Sequence, residues 1–326
     1  MDSETGRPSV IAQDVAYRPP FTFKVAPACA IHQQRLARCL RLEAACLAAW
    51  PAQEEERRGN LLLRAAGGYS MRINSGVPLL PAGAGVTWDE GHVRDAEAWF
   101  AARGLPPQFR LPEPLEGGNE ATDCADGNSG QNAMEAPHCA VGCGLDPVLA
   151  ALGYTATDPT LVQELDLTGW AANAHAAPHA TPPRSGAPSS APRRCAMVPH
   201  SAWLAAEGAV RGRTGSATEN PVLRGLLDTL GSVGQTWLLH VDGQPAVCGL
   251  GVRTGDAYGI FAVAARPDLR RQGHGRALVT AMLSAARRDG ARTAWLQVGQ
   301  GNAPARALYE GLGFATSYGY WYRVRQ

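Results

Sequence analysis

The chain contains a single lysine, Lys24. The rest of its positive charge is arginine, a bias that reflects genome composition more than function. Thirty basic residues face 29 acidic ones, for a formal charge of +1. A global basic field is therefore missing, and with it the usual argument for nucleic acid or an anionic membrane as partner. No apolar run approaches the roughly 18 residues that cross a bilayer. The opening stretch, MDSETGRPSV, lacks the apolar core of a signal peptide. These absences predict a soluble, cytoplasmic protein. A disulfide framework is missing too: eight cysteines are scattered along the chain, and free thiols are expected. Cys124, His138, Cys139 and Cys143 form the one grouping that could surround zinc. Their spacing fits no CxxC pair, so no metal is expected.

What remains is a chain of 326 residues, 45% hydrophobic, enough for about two ordinary domains with real cores. Residues 1–30 read as a flexible tail. Residues 31–50 space apolar side chains in threes and fours, which predicts an amphipathic helix. NLLLRAAGGYSMRINSGVPLL (60–80) contains two extended runs broken at Gly67-Gly68, read as a hairpin. A helix ending at Gly104 and a short strand at 108–111 follow. Residues 114–143 are rich in Gly, Asn, Asp and Ser and read as an irregular insert. A helix closed by Gly153 and a strand, TLVQELDL, complete a first domain, 31–170. The Ala/Pro/Ser-rich stretch 171–200 reads as a linker, with His175 and His179 solvated.

The second domain, 201–326, opens with helices at AWLAAEGAV and NPVLRGLLDTLG. Three strands follow, TWLLHVDG, QPAVCGLGVR and AYGIFAVAA, and Asp242-Gly243 signals a hairpin between the first two. RRQGHGRALV (270–279) leads into a helix ending near Gly290. Strand TAWLQV, helix APARALYEGLG and strand TSYGYWYRV close the pattern. The two halves echo each other, since DPVLAALGY in the first matches ARALYEGLGF in the second. The first half has no RxxGxG between strand and helix, and Leu149 stands where the second has Tyr309. Chemistry is expected in the second half alone.

Glycine lets backbone N–H groups approach a ligand, and a helix start leaves about four such donors unpaired. RRQGHGRALV is thus a candidate anion site. No Lys-Ser/Thr follows its glycines, which excludes a P-loop. Arg270-x-x-Gly273-x-Gly275 after a strand, followed by NAPARALYEGLGF (302–314) after the next, resembles the GCN5-related N-acetyltransferase (GNAT) superfamily over residues 200–326. More loosely, Trp50-Pro51, LRAAGGYSMRINS (63–75) and FRL (109–111) resemble tandem members whose N-terminal copy is degenerate. The resemblance implies an α/β (α+β) fold: tandem domains, each with a mixed, mostly antiparallel sheet flanked by helices, and splayed strands at the cofactor site of the second.

It also implies acetyl-CoA as co-substrate and an amine, small molecule or protein, as acceptor. The pyrophosphate is expected on the amides of Arg271, Gln272, Gly273, His274, Gly275 and Arg276, with a Cβ at 273 or 275 colliding with phosphate oxygens. Arg270, Arg271, Arg276 and Arg306 would add charge. Val263, Ala264 and Ala265 would lend backbone groups to the pantetheine arm and the thioester carbonyl. Gly299 and Gly301 would suit the gap. Tyr309 is the expected general acid, a phenol matched to a thiolate leaving group. Asn302 either orients the cofactor or caps the last helix, or does both. Glu207, Glu219, Asp228 and Asp256 are weighed as general bases beside a water relay, and His274 is expected to point at solvent or phosphate. The alternative function is a CoA-binding sensor or scaffold without turnover. Oligomeric state stays open.

Overall fold

The computed structural model describes residues 30–79, 87–113, 144–171, 193–213 and 220–325. The insert 114–143 with its Cys/His grouping, Glu219, His175 and His179 lie outside the described residues. The first half runs α1 (Ala30–Ala49), β1 (Glu54–Arg58), β2 (Leu61–Ala65), β3 (Gly76–Pro78), α2 (Glu90–Ala101), β4 (Gln108–Glu113), α3 (Leu145–Ala151) and β5 (Thr155–Asp166). The second runs β6 (Arg194–Val198), α4 (His200–Val210), α5 (Pro221–Leu230), β7 (Gly234–Val241), β8 (Gln244–Thr254), β9 (Ala257–Ala265), α6 (His274–Arg288), β10 (Thr293–Gly299), α7 (Ala303–Glu310) and β11 (Ala315–Val324).

Local chemistry sets these elements. Asp242 and Gly243 both take positive φ, 52° and 74°, the twist that a two-residue hairpin between β7 and β8 requires. Asn220 accepts from the Leu223 amide and Pro221 occupies the first turn of α5, a strong helix start. The expected hairpin at Gly67-Gly68 is placed differently. β2 pairs with β1 across Gly59-Asn60, and with β3 across the longer stretch 66–75. Strand β1, EEERR, carries no apolar residue, so no periodicity announces it. Arg194–Val198, read as linker, form the edge strand β6 against β7.

All eleven described strands join one sheet in the order β1-β2-β3-β4-β11-β5-β10-β9-β8-β7-β6. The two halves therefore trade strands. β5 leaves the first half and pairs with β10 from Asp166↔Thr293 to Thr160↔Gly299. β11 leaves the second and pairs with β4 from Gly319↔Glu113 to Val324↔Gln108. The traded strands also pair with each other. The two halves of the chain thus complete each other's sheet.

One core joins the halves. Leu42 and Cys46 of α1, and Trp50 just after it, pack with Leu238, Cys248, Leu250, Phe261 and Trp295 of the second half. Trp50 stacks on Phe261 with ring centroids 4.7 Å apart. Within this core Arg110 of β4 donates to Glu43 of α1 at 2.6 Å, and Tyr318 of β11 donates to the same carboxylate. The Arg110 guanidinium also lies over the Tyr320 ring, 4.0 Å from its centroid. Buried charge survives only when paired in this way.

Candidate active site

The splay between β9 and β10 is the first feature of the site. The two strands pair in parallel from Thr293↔Ala257 to Leu296↔Ile260 and then separate. Beyond that point Ala264 and Ala265 pair only with Cys248 and Val247 of β8, and Gln297–Gly299 only with β5. A bulge marks the fork: the β8–β9 pairing shifts between Cys248 and Leu250, and Ala262 has φ 52°. A non-glycine residue there is strained and persists because its surroundings hold it. The Arg211 guanidinium of α4 donates to the Ala262 carbonyl at 3.2 Å and also grips Glu207. Val263, Ala264 and Ala265 are partly exposed where β9 parts from β10.

The loop before α6 is the second feature. Arg271 and Gly273 both have positive φ, 61° and 79°. Left-handed residues alternating with ordinary ones turn successive amides toward one point, an anion-binding nest. The amides of Arg271, Gln272, Gly273, His274 and Gly275 donate to no described residue. Gly273 stands at the N-cap of α6 without a side-chain cap, and the first turn holds no acid. The helix dipole therefore adds positive potential here. The two glycines have different reasons. At 273 a Cβ would meet nothing, and the positive φ is what demands glycine; at 275 a Cβ would come within 3.2 Å of Leu308 of α7.

The surrounding side chains divide. Arg270 and Arg271 are exposed, and the described ion pairs supply neither with a carboxylate. Gln272 bonds back to the Asp268 carbonyl at 3.3 Å. Arg276 turns away from the loop and donates to the Gly311 carbonyl at 2.8 Å. Arg306 donates to the Gln300 carbonyl at 3.2 Å and lies 3.6 Å from Glu310. His274 corrects an expectation: its ring is buried, 1% exposed, not aimed at solvent. Burial and nearby Arg193 hold its pKa below the ordinary histidine value.

Tyr309, at the end of α7, sits edge-on to Phe314 at 5.9 Å and belongs to the core beneath α6. Burial pushes its phenol up to about 12, with no hydrogen bond contributing. Asn302 caps α7, accepting from the Ala305 amide at 3.3 Å. Gly299 and Gly301 have open space where a Cβ would sit. Among the base candidates, Glu207 is buried and held by Arg211 and Arg213. Asp228 and Asp256 are exposed, and the Asp256 carbonyl receives the Arg292 amide where β10 begins, at the other end of that strand from the fork. No group of three or more potential metal ligands occurs among the described residues. No described helix is long and apolar enough to cross a membrane.

The segment between β2 and β3 is braced from both halves. Arg64 donates to the carbonyls of Trp50 at 2.7 Å and Arg72 at 3.2 Å. Asn74 receives the amides of Ala66 and Gly68. A Cβ at Gly67 would stand 3.3 Å from Val222 of α5, so this first-half turn is docked on the second half. Tyr69 and Met71 pack against the core that joins the halves, as Ala262 and Ala264 of the fork do.

A nest at a helix start beside splayed parallel strands makes a candidate anion-binding site at the mouth of a cleft. Residues 225–314 match the acetyltransferase (GNAT) family. Residues 37–129 match a second family, described as probable histone acetyltransferase Rv0428c C-terminal. A GCN5-related N-acetyltransferase from Kribbella flavida superposes with TM-score 0.55 at 19% identity, covering 88% of this chain and 95% of that one. A tandem GNAT protein from the clavulanic acid biosynthesis pathway gives 0.53 at 16%, covering 93% and 90%. The [ribosomal protein bS18]-alanine N-acetyltransferase of Escherichia coli (strain K12) is 47% identical over 55 residues, 17% of this chain. The chain spans only 37% of that relative's length. The fold is that of GNAT proteins, a tandem GNAT protein among them, and the second half carries the match to the acetyltransferase (GNAT) family.

Proposed function

We propose that this protein moves an acetyl group from acetyl-CoA to an amine, with the chemistry confined to the second half. The nest of unbonded amides before α6, beside the β9–β10 fork, carries the reading. The amides of Arg271–Gly275 would hold the pyrophosphate, assisted by Arg270 and Arg271. Exposed arginines of this kind each add about 1 kcal/mol or less. Arg276 and Arg306 brace α7 instead. The partly exposed edge of Val263, Ala264 and Ala265 would line the pantetheine arm and polarise the thioester carbonyl.

Acetyl-CoA supplies an activated acyl group. In the ternary complex the amine nitrogen forms the new C–N bond as the C–S bond breaks. Tyr309 gives its proton to the departing sulfur. A phenol near 12 is fully protonated at neutral pH, and it is a weak acid suited to a leaving group that needs little help. Asn302 holds the helix that carries Tyr309. The amine arrives neutral, and its surplus proton leaves to water. Glu207 is engaged by two arginines, which favours the water relay over that carboxylate.

The test is calorimetric titration with acetyl-CoA of the wild type and of Gly273→Glu. One site per chain in the wild type is expected, with affinity reduced at least about a hundredfold in the variant, because a side chain at φ 79° and an anion at the helix start both oppose binding. Absence of binding to the wild type defeats the reading. Saturable binding with no acetyl transfer to any amine tried would favour a CoA-binding scaffold.

A further inference from the structure

On the face of the sheet opposite α6, polar groups from both halves are drawn together at the fork. Arg211 bonds the β9 bulge at the Ala262 carbonyl. Glu207 holds Arg211 and Arg213. Tyr69 lies within electrostatic reach of Glu207, Arg211, Arg213 and Arg72. Arg72 lies against Tyr320 and Tyr322, and the Tyr320 hydroxyl donates to Gln297 at 3.2 Å. Gln297 is the first residue of β10 past the last pairing with β9. The series thus runs from one splayed strand to the other, through residues of the first half.

Donors and acceptors do not balance along it. Arg72 Nε and Gln297 Nε2 are shielded from solvent without a well-aligned acceptor; the Arg72 guanidinium leans on the neutral Tyr320 hydroxyl and the Gln297 amide on the Cys46 thiol. Arg72 has no carboxylate partner among the described residues, unlike Arg64, Arg110, Arg211 and Arg213. Glu43 is paired with Arg110 through Oε1, its Oε2 accepting from no described residue, and Glu207 is held by Arg211 and Arg213. A buried donor without a partner costs about 1–3 kcal/mol, and natural proteins seldom leave one unexplained. A guanidinium fork matches a planar carboxylate, and Tyr320 links this one to the Gln297 side chain.

We propose that Arg72, assisted by Gln297, receives a carboxylate of the acceptor, so that the substrate is an amine that also carries an acid group. This rests on the acetyl-transfer reading for the identity of the pocket, but the anion site itself is tested by binding alone. Tyr69 and Tyr320 flank the group that Arg72 receives. The degenerate half then serves as the specificity element of the other half's reaction.

The experiment compares matched probes by calorimetry on the full chain, with and without saturating CoA. Alanine, leucine, phenylalanine and serine are each set against the α-carboxamide, and alanyl-aspartate against alanyl-asparagine. At least one acid is expected to bind about tenfold or more tighter than its amide. Arg72→Gln should weaken that acid about ten- to hundredfold, the loss typical of a charge-assisted hydrogen bond, and leave the amide unchanged. Arg72→Lys keeps the charge without the fork and should weaken the acid severalfold. No separation in any pair overturns the proposal, as does an acid preference that survives Arg72→Gln at an unchanged melting temperature. Should Arg72→Gln fail to fold, an undiminished preference in Arg72→Lys overturns it equally. Loss of CoA binding would defeat the acetyl-transfer reading separately, since the acid–amide comparison on the free protein still decides the role of Arg72.

Discussion

The two halves start their central helices in opposite ways. α2 opens at Asp89, whose carboxylate takes the His92 amide, and Glu90 follows in the first turn. α6 opens at Gly273 with no cap and no acid. A hollow of about 540 Å³ does lie at the start of α2, lined by Arg58, Asp89, His92 and Asp95 among others. Two aspartates there repel a phosphate, and Arg58 is paired with Asp95. Further on, α3 carries Leu149 and α7 carries Tyr309. Under the proposed function, the filled helix start and the missing hydroxyl are what keep the first half from the same chemistry. What the first half retains is surface: α1 and the 66–75 turn, both packed against the second half.

If the halves share one structure, the largest effect should come from the buried charge that ties them. Arg110→Met strands Glu43 in the core and should cost about 3–5 kcal/mol. Thermal unfolding followed by near-ultraviolet and far-ultraviolet dichroism should still show one transition. Two separate transitions would break the comparison, making the halves independent. Next, Tyr309→Phe should lower turnover about a hundredfold while acetyl-CoA affinity holds. Burial raises this phenol, so its proton is retained up to about pH 12. The wild-type rate should therefore rise as the amine deprotonates and show no falling limb through about pH 10. A falling limb near pH 9, absent in the Phe variant, would contradict the raised value. The smallest effect belongs to the first half: Asp89→Ala should cost about 1 kcal/mol through loss of the cap. CoA stoichiometry should stay at one per chain; a second site would mean that Asp89 alone silences the first half.

The loop and the last helix were legible because their chemistry is local. RRQGHGRALV and NAPARALYEGLGF each sit within a dozen or so residues, and Asp242-Gly243 encodes its own turn. The order of most strands followed from alternation and glycine punctuation. β1 escaped because EEERR is charged throughout and sits on the edge of the sheet. The strand exchange escaped for another reason. Nothing within TLVQELDL or TSYGYWYRV states which sheet it will join, since pairing is a choice between distant partners. The same holds for Arg72. Its neighbours Tyr320 and Gln297 lie more than two hundred residues away in sequence, and only packing brings them together.

The exchange of β5 and β11 also has a history in the making of each molecule. A nascent chain emerges N-terminus first, and β4 cannot be covered until β11 follows. At ordinary elongation rates the roughly 160 residues between β5 and β11 take about 10 to 30 s to synthesise. Through that interval β4 and β5 present unpaired edges of the kind that recruit neighbouring strands. Faster synthesis, or a chaperone that shields strand edges, should therefore raise the soluble yield more for this chain than for a protein of two self-contained domains.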